Sequence, residues 1–124
     1  MEKVLNYLKG IFFIATMDGE QPRVRPFDGA AVVDDRLYIE TISNKKVYTQ
    51  IVANPKVEIF AMNDDGTLRL TAVARLTDGA ERDAAIAGIG KYHDGSLDTV
   101  AVFALENATA TIEATGMEPE VISF

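Results

Sequence analysis

Two short basic segments in the first half of the chain carry side chains that could bind an anion. The first is Gln21–Phe27, QPRVRPF, and the second covers residues 41–50, TISNKKVYTQ. Arginine grips phosphate through paired hydrogen bonds, and lysine binds it as a point charge. The whole chain is acidic, with a net charge of −7 from 12 Lys and Arg against 19 Asp and Glu. A local positive site on a negative protein suits a small enclosed anion better than a nucleic-acid backbone.

The spacing of the two arginines favours a shared ligand. In a strand, Arg23 and Arg25 point to the same face, where they repel each other unless an anion lies between them. Pro26 cannot donate a ladder hydrogen bond, which predicts a sheet edge or an irregularity at this point. A solvated strand face paired with local carboxylates is the competing interpretation, and this segment alone does not separate the two.

The second segment predicts a short helix that begins with two cations. Ser43 or Asn44 can cap it, and Lys45 and Lys46 then lie in its first turn, where they oppose the helix dipole. An anion bound at this end would turn the conflict into a stabilising contact, because free N–H groups and both lysines can face it. The alternative is that the lysines simply extend into water.

The elements that must position these segments are mostly strands. Apolar patterning predicts strands at residues 11–16, 22–33, 37–41, 57–62, 68–76, 99–105 and 108–114, the last two as a hairpin about Glu106-Asn107. Helices are predicted before Gly10, between residue 44 and Asn54-Pro55, and over residues 80–89, with a loop at 90–96. The run Gly29-Ala30-Ala31 marks a bulge or a close contact. This arrangement indicates a closed antiparallel barrel.

Bulk composition narrows the class of protein. The 124 residues predict one domain, 1–124, and the absence of Cys excludes disulfides, thiolate metal sites and cysteine nucleophiles. The lone His93 has no partners that would indicate a catalytic set or a metal site. No apolar run approaches the roughly 20 residues of a membrane span, and the first residues do not resemble a signal peptide. We therefore expect a cytoplasmic protein without nucleic-acid or membrane partners.

Several short segments together resemble one family. They are PRVRPF at 22–27, LYIET at 37–41, NKK at 44–46, Gln50 and NPKVEI at 54–59. The chain is similar over its whole length to the pyridoxamine 5'-phosphate oxidase-like, FMN-binding split-barrel family, especially its short stand-alone bacterial members. The resemblance implies a mainly β (α+β) fold, a six- to seven-stranded antiparallel split β-barrel with short flanking helices. It also implies a homodimer that holds FMN in two clefts at its interface.

The resemblance assigns roles to individual positions. The Arg23 strand would lie along the flavin and its ribityl chain, Lys45 and Lys46 would hold the phosphate, and Gln50 would contact the cofactor or support the helix. The implied cofactor-binding residues are Arg23, Val24, Arg25, Pro26, Glu40, Thr41, Asn44, Lys45, Lys46 and Gln50. Neither a catalytic residue nor a metal ligand is implied. Phe103 and Phe124 are candidate contributors to the dimer interface.

The resemblance also shapes the expected activity. Thr67 and Ala72 stand where many relatives carry Trp and Gly, and the chain lacks the Arg-rich C-terminal segment that holds vitamin B6 substrates. We therefore expect an FMN-dependent oxidoreductase that passes electrons from a reduced nicotinamide to a small acceptor, not a true pyridoxamine 5'-phosphate oxidase. The alternatives are a flavin-binding carrier or sensor without turnover, and a split barrel that uses deazaflavin or haem.

Overall fold

A computed structural model describes residues 1–90 and 97–124 of the chain. Its strands are β1 Phe12–Asp18, β2 Gln21–Phe27, β3 Ala30–Val33, β4 Arg36–Ile42, β5 Lys56–Asn63, β6 Gly66–Leu76, β7 Val100–Ala114 and β8 Glu120–Ser123. Its α-helices are α1 Glu2–Tyr7, α2 Lys46–Ala53 and α3 Gly79–Ile89, and a 3-10 turn covers Leu97–Thr99. None of the described helices is long and apolar enough to cross a membrane.

All eight strands belong to one antiparallel sheet. The order is β2-β1-β5-β6-β7-β4-β3, and β8 pairs with the end of β7. The first part of β7 bonds β4, its last part bonds β8, and β6 lies along most of its other side. Because one long strand has two successive partners on the same side, the sheet curls around itself. The result is the predicted split β-barrel of α+β type, with one strand more than expected.

The barrel interior is filled by alternate residues of the strands. On β6, Leu68 and Leu70 are fully buried while Arg69 and Thr71 face outward, so the predicted period-two pattern is confirmed. Other large, fully buried side chains of this core come from four other strands and two helices: Val4, Phe12, Ile14, Leu37, Ile39, Ile51, Ile59 and Phe103. Each stabilises the fold by roughly 1.5–3 kcal/mol through burial.

A second, smaller apolar cluster fastens α3 to the outside of the barrel. Ala85 of α3 packs against Tyr38 of β4 and Val102 of β7. Polar side chains hold α3 as well. The Arg75 guanidinium donates to both carboxylate oxygens of Glu81 at 3.0 and 2.9 Å and to Glu106 at 2.9 Å. The Tyr38 hydroxyl also donates to Glu81, at 2.8 Å. Apolar packing and an ion-pair network therefore hold the same helix.

Two predicted strands have different boundaries in the structure. The stretch 22–33 is divided into β2 and β3 at Asp28-Gly29, where the backbone leaves the ladder. A Cβ added to Gly29 would lie 2.7 Å from Cγ of Glu40, so the predicted close contact is present and explains the break. The predicted hairpin at 99–114 is wrong, because residues 100–114 form the single strand β7.

The physical reason lies at the supposed turn. Asn107 adopts the left-handed conformation, with φ of 49°, but it forms a bulge where the register with β6 shifts between Thr71 and Val73. The chain bends without reversing. The short strand β8 was not predicted from the sequence. Residues 91–96 of the predicted loop, including His93, lie outside the described residues.

One interface candidate is corrected by the burial of its side chain. Phe103 is fully buried within the protomer, and its ring lies at a tilt to that of Tyr48, with ring centroids 6.1 Å apart. It therefore has no surface left to offer a partner. Phe124 is half-buried and packs against the main core.

Candidate anion-binding site

The two basic segments meet at one cleft. It has a volume of about 500 Å³ and lies between β2 and the start of α2. Its lining residues are Asp18, Arg23, Val24, Arg25, Pro26, Lys45, Lys46, Val47 and Gln50. Four of these are cationic and only Asp18 is acidic, although acids outnumber bases in the chain as a whole. The fold thus concentrates positive charge at this cleft.

Arg25 is fixed in place by buried polar side chains. Its Nη1 donates to Oγ1 of Thr16 at 2.6 Å, and its Nη2 donates to Oε1 of Gln50. The Thr16 hydroxyl in turn donates to the same Gln50 oxygen at 2.7 Å. Burial first, and the charge of Arg23 second, lower the pKa of the Arg25 guanidinium. The guanidinium of Arg25 therefore links its own strand, β2, to β1 and to α2.

The other three cations keep their donors available. Arg23 is exposed and has only a long contact, 3.4 Å from Nε to a carboxylate oxygen of Asp18. Lys45 and Lys46 are exposed as well, and neither has an ion-pair partner in the described part of the chain. Four positive side chains held near each other with a single carboxylate, Asp18, are the arrangement expected of an anion site.

The start of α2 differs in detail from the prediction. Lys45, with φ of −87° and ψ of 150°, is the N-cap, and no side chain caps the helix. Ser43 and Asn44 lie in the preceding turn instead. The first backbone N–H groups of a helix lack intrahelical partners and carry a partial positive charge. An uncapped start flanked by Lys45 and Lys46 is therefore suited to an anion.

A smaller cavity of about 70 Å³ adjoins the cleft and shares Arg25, Pro26, Lys45 and Val47 with it. Glu40 and Thr41, at the end of β4, are buried in its wall. Glu40 packs against Gly29, whose missing side chain leaves the room that the carboxylate occupies. Glu40 and Thr41 of β4 therefore form a buried wall in the small cavity next to the cleft.

Of the ten sequence-predicted site residues, the structure brings nine into these two adjoining cavities, and Asn44 lines neither. The contributions of Thr16, Asp18 and Gly29 to the site were not predicted from the sequence. The residue type of Thr16 gives no signal, and Asp18, followed by Gly19, has only the composition of a turn. Gly29 was noted as a contact, but the sequence could not say with what.

An apolar groove of about 450 Å³ lies on the outer face of β1, β5 and β6. Ala15, Met17, Val57 and Ala72 are among its apolar lining residues, and Thr16 belongs to its wall. Ala72 therefore lines this groove, whereas Thr67, five positions earlier on β6, lines neither the groove nor the cleft. Among the described residues, those that line the groove or the cleft include no His or Cys, and each cavity has a single carboxylate.

The structure is similar to solved structures over its whole length. A NimC/NimA family protein from Clostridium acetobutylicum is 34% identical, with a TM-score of 0.87, and the match covers 100% of this chain and 92% of that protein. No family model matches the sequence. The curated proteins contain no match either.

More distant structures share the fold. A pyridoxamine 5'-phosphate oxidase-related, FMN binding protein from Nostoc punctiforme is 14% identical, with a TM-score of 0.61, covering 98% of this chain and 90% of that one. A heme binding protein from Mycobacterium smegmatis is 15% identical, with a TM-score of 0.66, covering 93% of this chain and 53% of that one.

Proposed function

The chain belongs to the NimC/NimA family, and we propose that it is an FMN-binding oxidoreductase of the pyridoxamine 5'-phosphate oxidase-like split-barrel type. The observation that supports this most is the cleft in which Arg23, Lys45 and Lys46 converge, where Arg23 has only a long contact with Asp18 and neither lysine has an ion-pair partner among the described residues. The cleft volume of about 500 Å³ is within the range of small-molecule sites.

The residues present fit a phosphate-bearing cofactor. Arg23, Lys45 and Lys46 would hold the phosphate dianion, together with the uncapped N-terminal turn of α2. Arg25, already bound to Thr16 and Gln50, would hold the strand in place and add its charge. Val24 and Pro26 of β2 would face the remainder of the cofactor, and Glu40 and Thr41 would form the buried wall of the small cavity beside it.

Such a site needs little chemistry from the protein. FMN supplies hydride and electron transfer itself, and the chain supplies binding, orientation and electrostatics. The donor we propose is a reduced nicotinamide and the acceptor is a small molecule. The absence of an acid–base pair around the described cavities agrees with that division of labour. The same proposal places the protein in the cytoplasm, as a homodimer with two FMN.

Haem is the alternative that a fold neighbour raises, since the Mycobacterium smegmatis structure is that of a heme binding protein. Haem iron is usually held by His, Cys, Met or Tyr. The residues that line the cleft and its adjoining cavity include none of these, within the part of the chain the structure describes. The donor set therefore favours FMN. A flavin carrier or sensor without turnover would use the same site.

The identity of the bound chromophore is the first test. The purified protein should be yellow, and the molecule released from it should have the mass and absorbance of FMN. Anaerobic mixing with NADH or NADPH should then bleach the flavin absorbance. A colourless protein that does not take up added FMN would overturn the proposal. Tight FMN binding without bleaching by either nucleotide would leave the carrier or sensor in its place.

A further inference from the structure

The hydrogen bonds around Gln50 fix which way its side-chain amide points. Arg25 can only donate, and it donates through Nη2 to Gln50. Thr16 accepts from Arg25 through its hydroxyl oxygen, so its single hydrogen is directed to Gln50 as well. Both neighbours therefore require an acceptor, and the Gln50 amide must present Oε1 to them. Its Nε2, with two hydrogens, has to point elsewhere.

The remaining direction is the cleft. Gln50 is 9% exposed and belongs to the lining of the cationic cleft. In the part of the chain that the structure describes, both hydrogen bonds of the Gln50 side chain are made by Oε1. Nε2 is not one of the enclosed atoms that lack a partner, so it is open at the cleft, where a ligand or water can accept from it. The cleft therefore contains a neutral hydrogen-bond donor in addition to its cations.

The position of this donor distinguishes it from the phosphate site. Gln50 is four residues after Lys46 on α2, on the same face and about 6 Å further along the axis at 1.5 Å per residue. A ligand whose phosphate lies against the lysines would bring the next part of its chain to Gln50. A neutral amide donor adds no charge to the phosphate site, and it pairs well with a hydroxyl or carbonyl oxygen.

We infer that Gln50 binds a neutral oxygen on the phosphate-bearing polyol chain of the ligand, and that Thr16 is the positioning residue that keeps its amide in the required orientation. This inference rests on the proposed function, because the ligand it describes is a flavin phosphate. It makes the cleft selective for a phosphorylated polyol over inorganic phosphate.

The side-chain NH2 signal of Gln50 in ¹⁵N-labelled protein provides a direct test. It can be assigned through its own backbone, without mutation. Saturation with FMN should shift this signal and slow its hydrogen exchange, whereas inorganic phosphate alone should leave it in place. An unmoved signal at FMN saturation overturns the inference, as does an equal response to phosphate alone. A parent protein that binds no FMN overturns the proposed function and this inference together.

Two variants provide an independent measurement. Gln50→Glu keeps an acceptor for Arg25 and Thr16 but loses the donor, so it should keep the parent's melting temperature and bind FMN about tenfold more weakly. Gln21→Glu adds the same charge at an exposed position and should stay within about twofold. Thr16→Val, which removes the hydroxyl, should also weaken FMN binding. Thr16→Ser, which keeps the hydroxyl, should bind FMN like the parent. Parent-like affinity in Gln50→Glu would contradict the assignment.

Discussion

At the scale of single residues, the cations of the cleft have different surroundings and should respond differently to mutation. Arg25 is bound to two buried neighbours, whereas Lys46 has no partner in the described chain. Lysine and arginine pairs of this kind are visible in a sequence because their charge conflicts with a strand face or with a helix start. The role of Thr16 is not visible in the sequence, because only the folded register places its hydroxyl beside both Arg25 and Gln50.

Removing a free cation should weaken phosphate binding selectively. Lys46→Ala or Arg23→Ala should each reduce FMN affinity by about 1–3 kcal/mol, the scale of a charge-assisted hydrogen bond to a partly buried anion. Riboflavin, which lacks the phosphate, should bind the parent weakly and be nearly indifferent to both changes. Flavin fluorescence titration measures both affinities.

The matched control is Lys9→Ala, an exposed lysine that does not line the cleft. It should leave FMN affinity within a few tenths of a kcal/mol of the parent value, because salt screens distant exposed charges. If the parent bound FMN and riboflavin equally well, the basic segments would not be a phosphate site.

Gly29 should not tolerate a side chain. An alanine Cβ would lie 2.7 Å from Cγ of the buried Glu40, so Gly29→Ala should destabilise the protein by about 1–3 kcal/mol. Urea unfolding measures the loss. In a Glu40→Ala background the same substitution should cost much less, because the colliding atoms are gone. Equal costs in both backgrounds would mean that the strain lies in the backbone and not in this contact.

At the scale of elements, α3 depends on an ion pair whose strength varies with pH. The hydrogen bonds from Arg75 first, and from Tyr38 second, lower the pKa of Glu81 from 4.5 to about 2. A depressed carboxylate pKa stabilises the folded state above the unfolded value and loses that contribution as pH falls. The window of loss therefore lies between about pH 4.5 and pH 2.

Glu81→Gln should remove this dependence. We expect the variant to be less stable than the parent at pH 7 and the difference to shrink as pH falls below 4.5. Because both side chains are about one-third exposed, solvent reduces the size of the effect. Asp83→Asn, on the same helix and 74% exposed, is the control and should unfold like the parent at every pH. A constant gap between parent and Glu81→Gln would contradict the assignment.

The bulge in β7 gives a prediction about backbone strain. Asn107 has a φ of 49°, which asparagine and glycine tolerate and β-branched residues do not. Asn107→Gly should leave stability nearly unchanged, and Asn107→Val should cost about 1–3 kcal/mol. Thermal unfolding compares the two. A valine variant as stable as the glycine variant would show that the bulge relaxes.

The same residue explains why the hairpin prediction failed. Glu106-Asn107 has the composition of a turn, and local sequence contains nothing that argues against one. The strand continues because both flanks of β7 are already paired, with β4 and β6 before the bulge and β6 and β8 after it. By contrast, β6 was predictable because apolar and polar residues alternate within its own sequence. The pairing of β7 with distant strands cannot be read from the residues of β7 alone.

At the scale of the whole molecule, the sheet leaves an apolar face uncovered. Phe13 of β1 is 45% exposed, Val24 of β2 is 69% exposed and Met62 of β5 is 67% exposed. Phe13 is opposite both Pro26 and Phe60, so these strands present one continuous surface beside the cleft. Such a surface is typical of an interface with another protein chain. The sequence indicated a partner only through family resemblance, since exposure depends on the fold.

We expect a dimer by light scattering, with two FMN bound. Phe13→Glu combined with Met62→Glu should give a monomer, because two charges would have to be buried without partners. Met117→Glu is the matched control, since Met117 is 73% exposed but lies in the turn before β8. It should remain dimeric. A parent that is monomeric and still binds FMN tightly would contradict a cleft completed by the second copy.

The two prolines of β2 have a further consequence for the molecule in a crowded cell. Among the described strands this one is the last in the sheet, so none of them pairs with its outer edge. Asp18 pairs with Gln21 across the turn, and alternation along the ladder then directs the backbone of Pro22 and Pro26 to that outer edge. Neither proline has an N–H with which another strand could pair. The strand that exposes its arginines to a ligand is thereby a poor template for amyloid-like stacking.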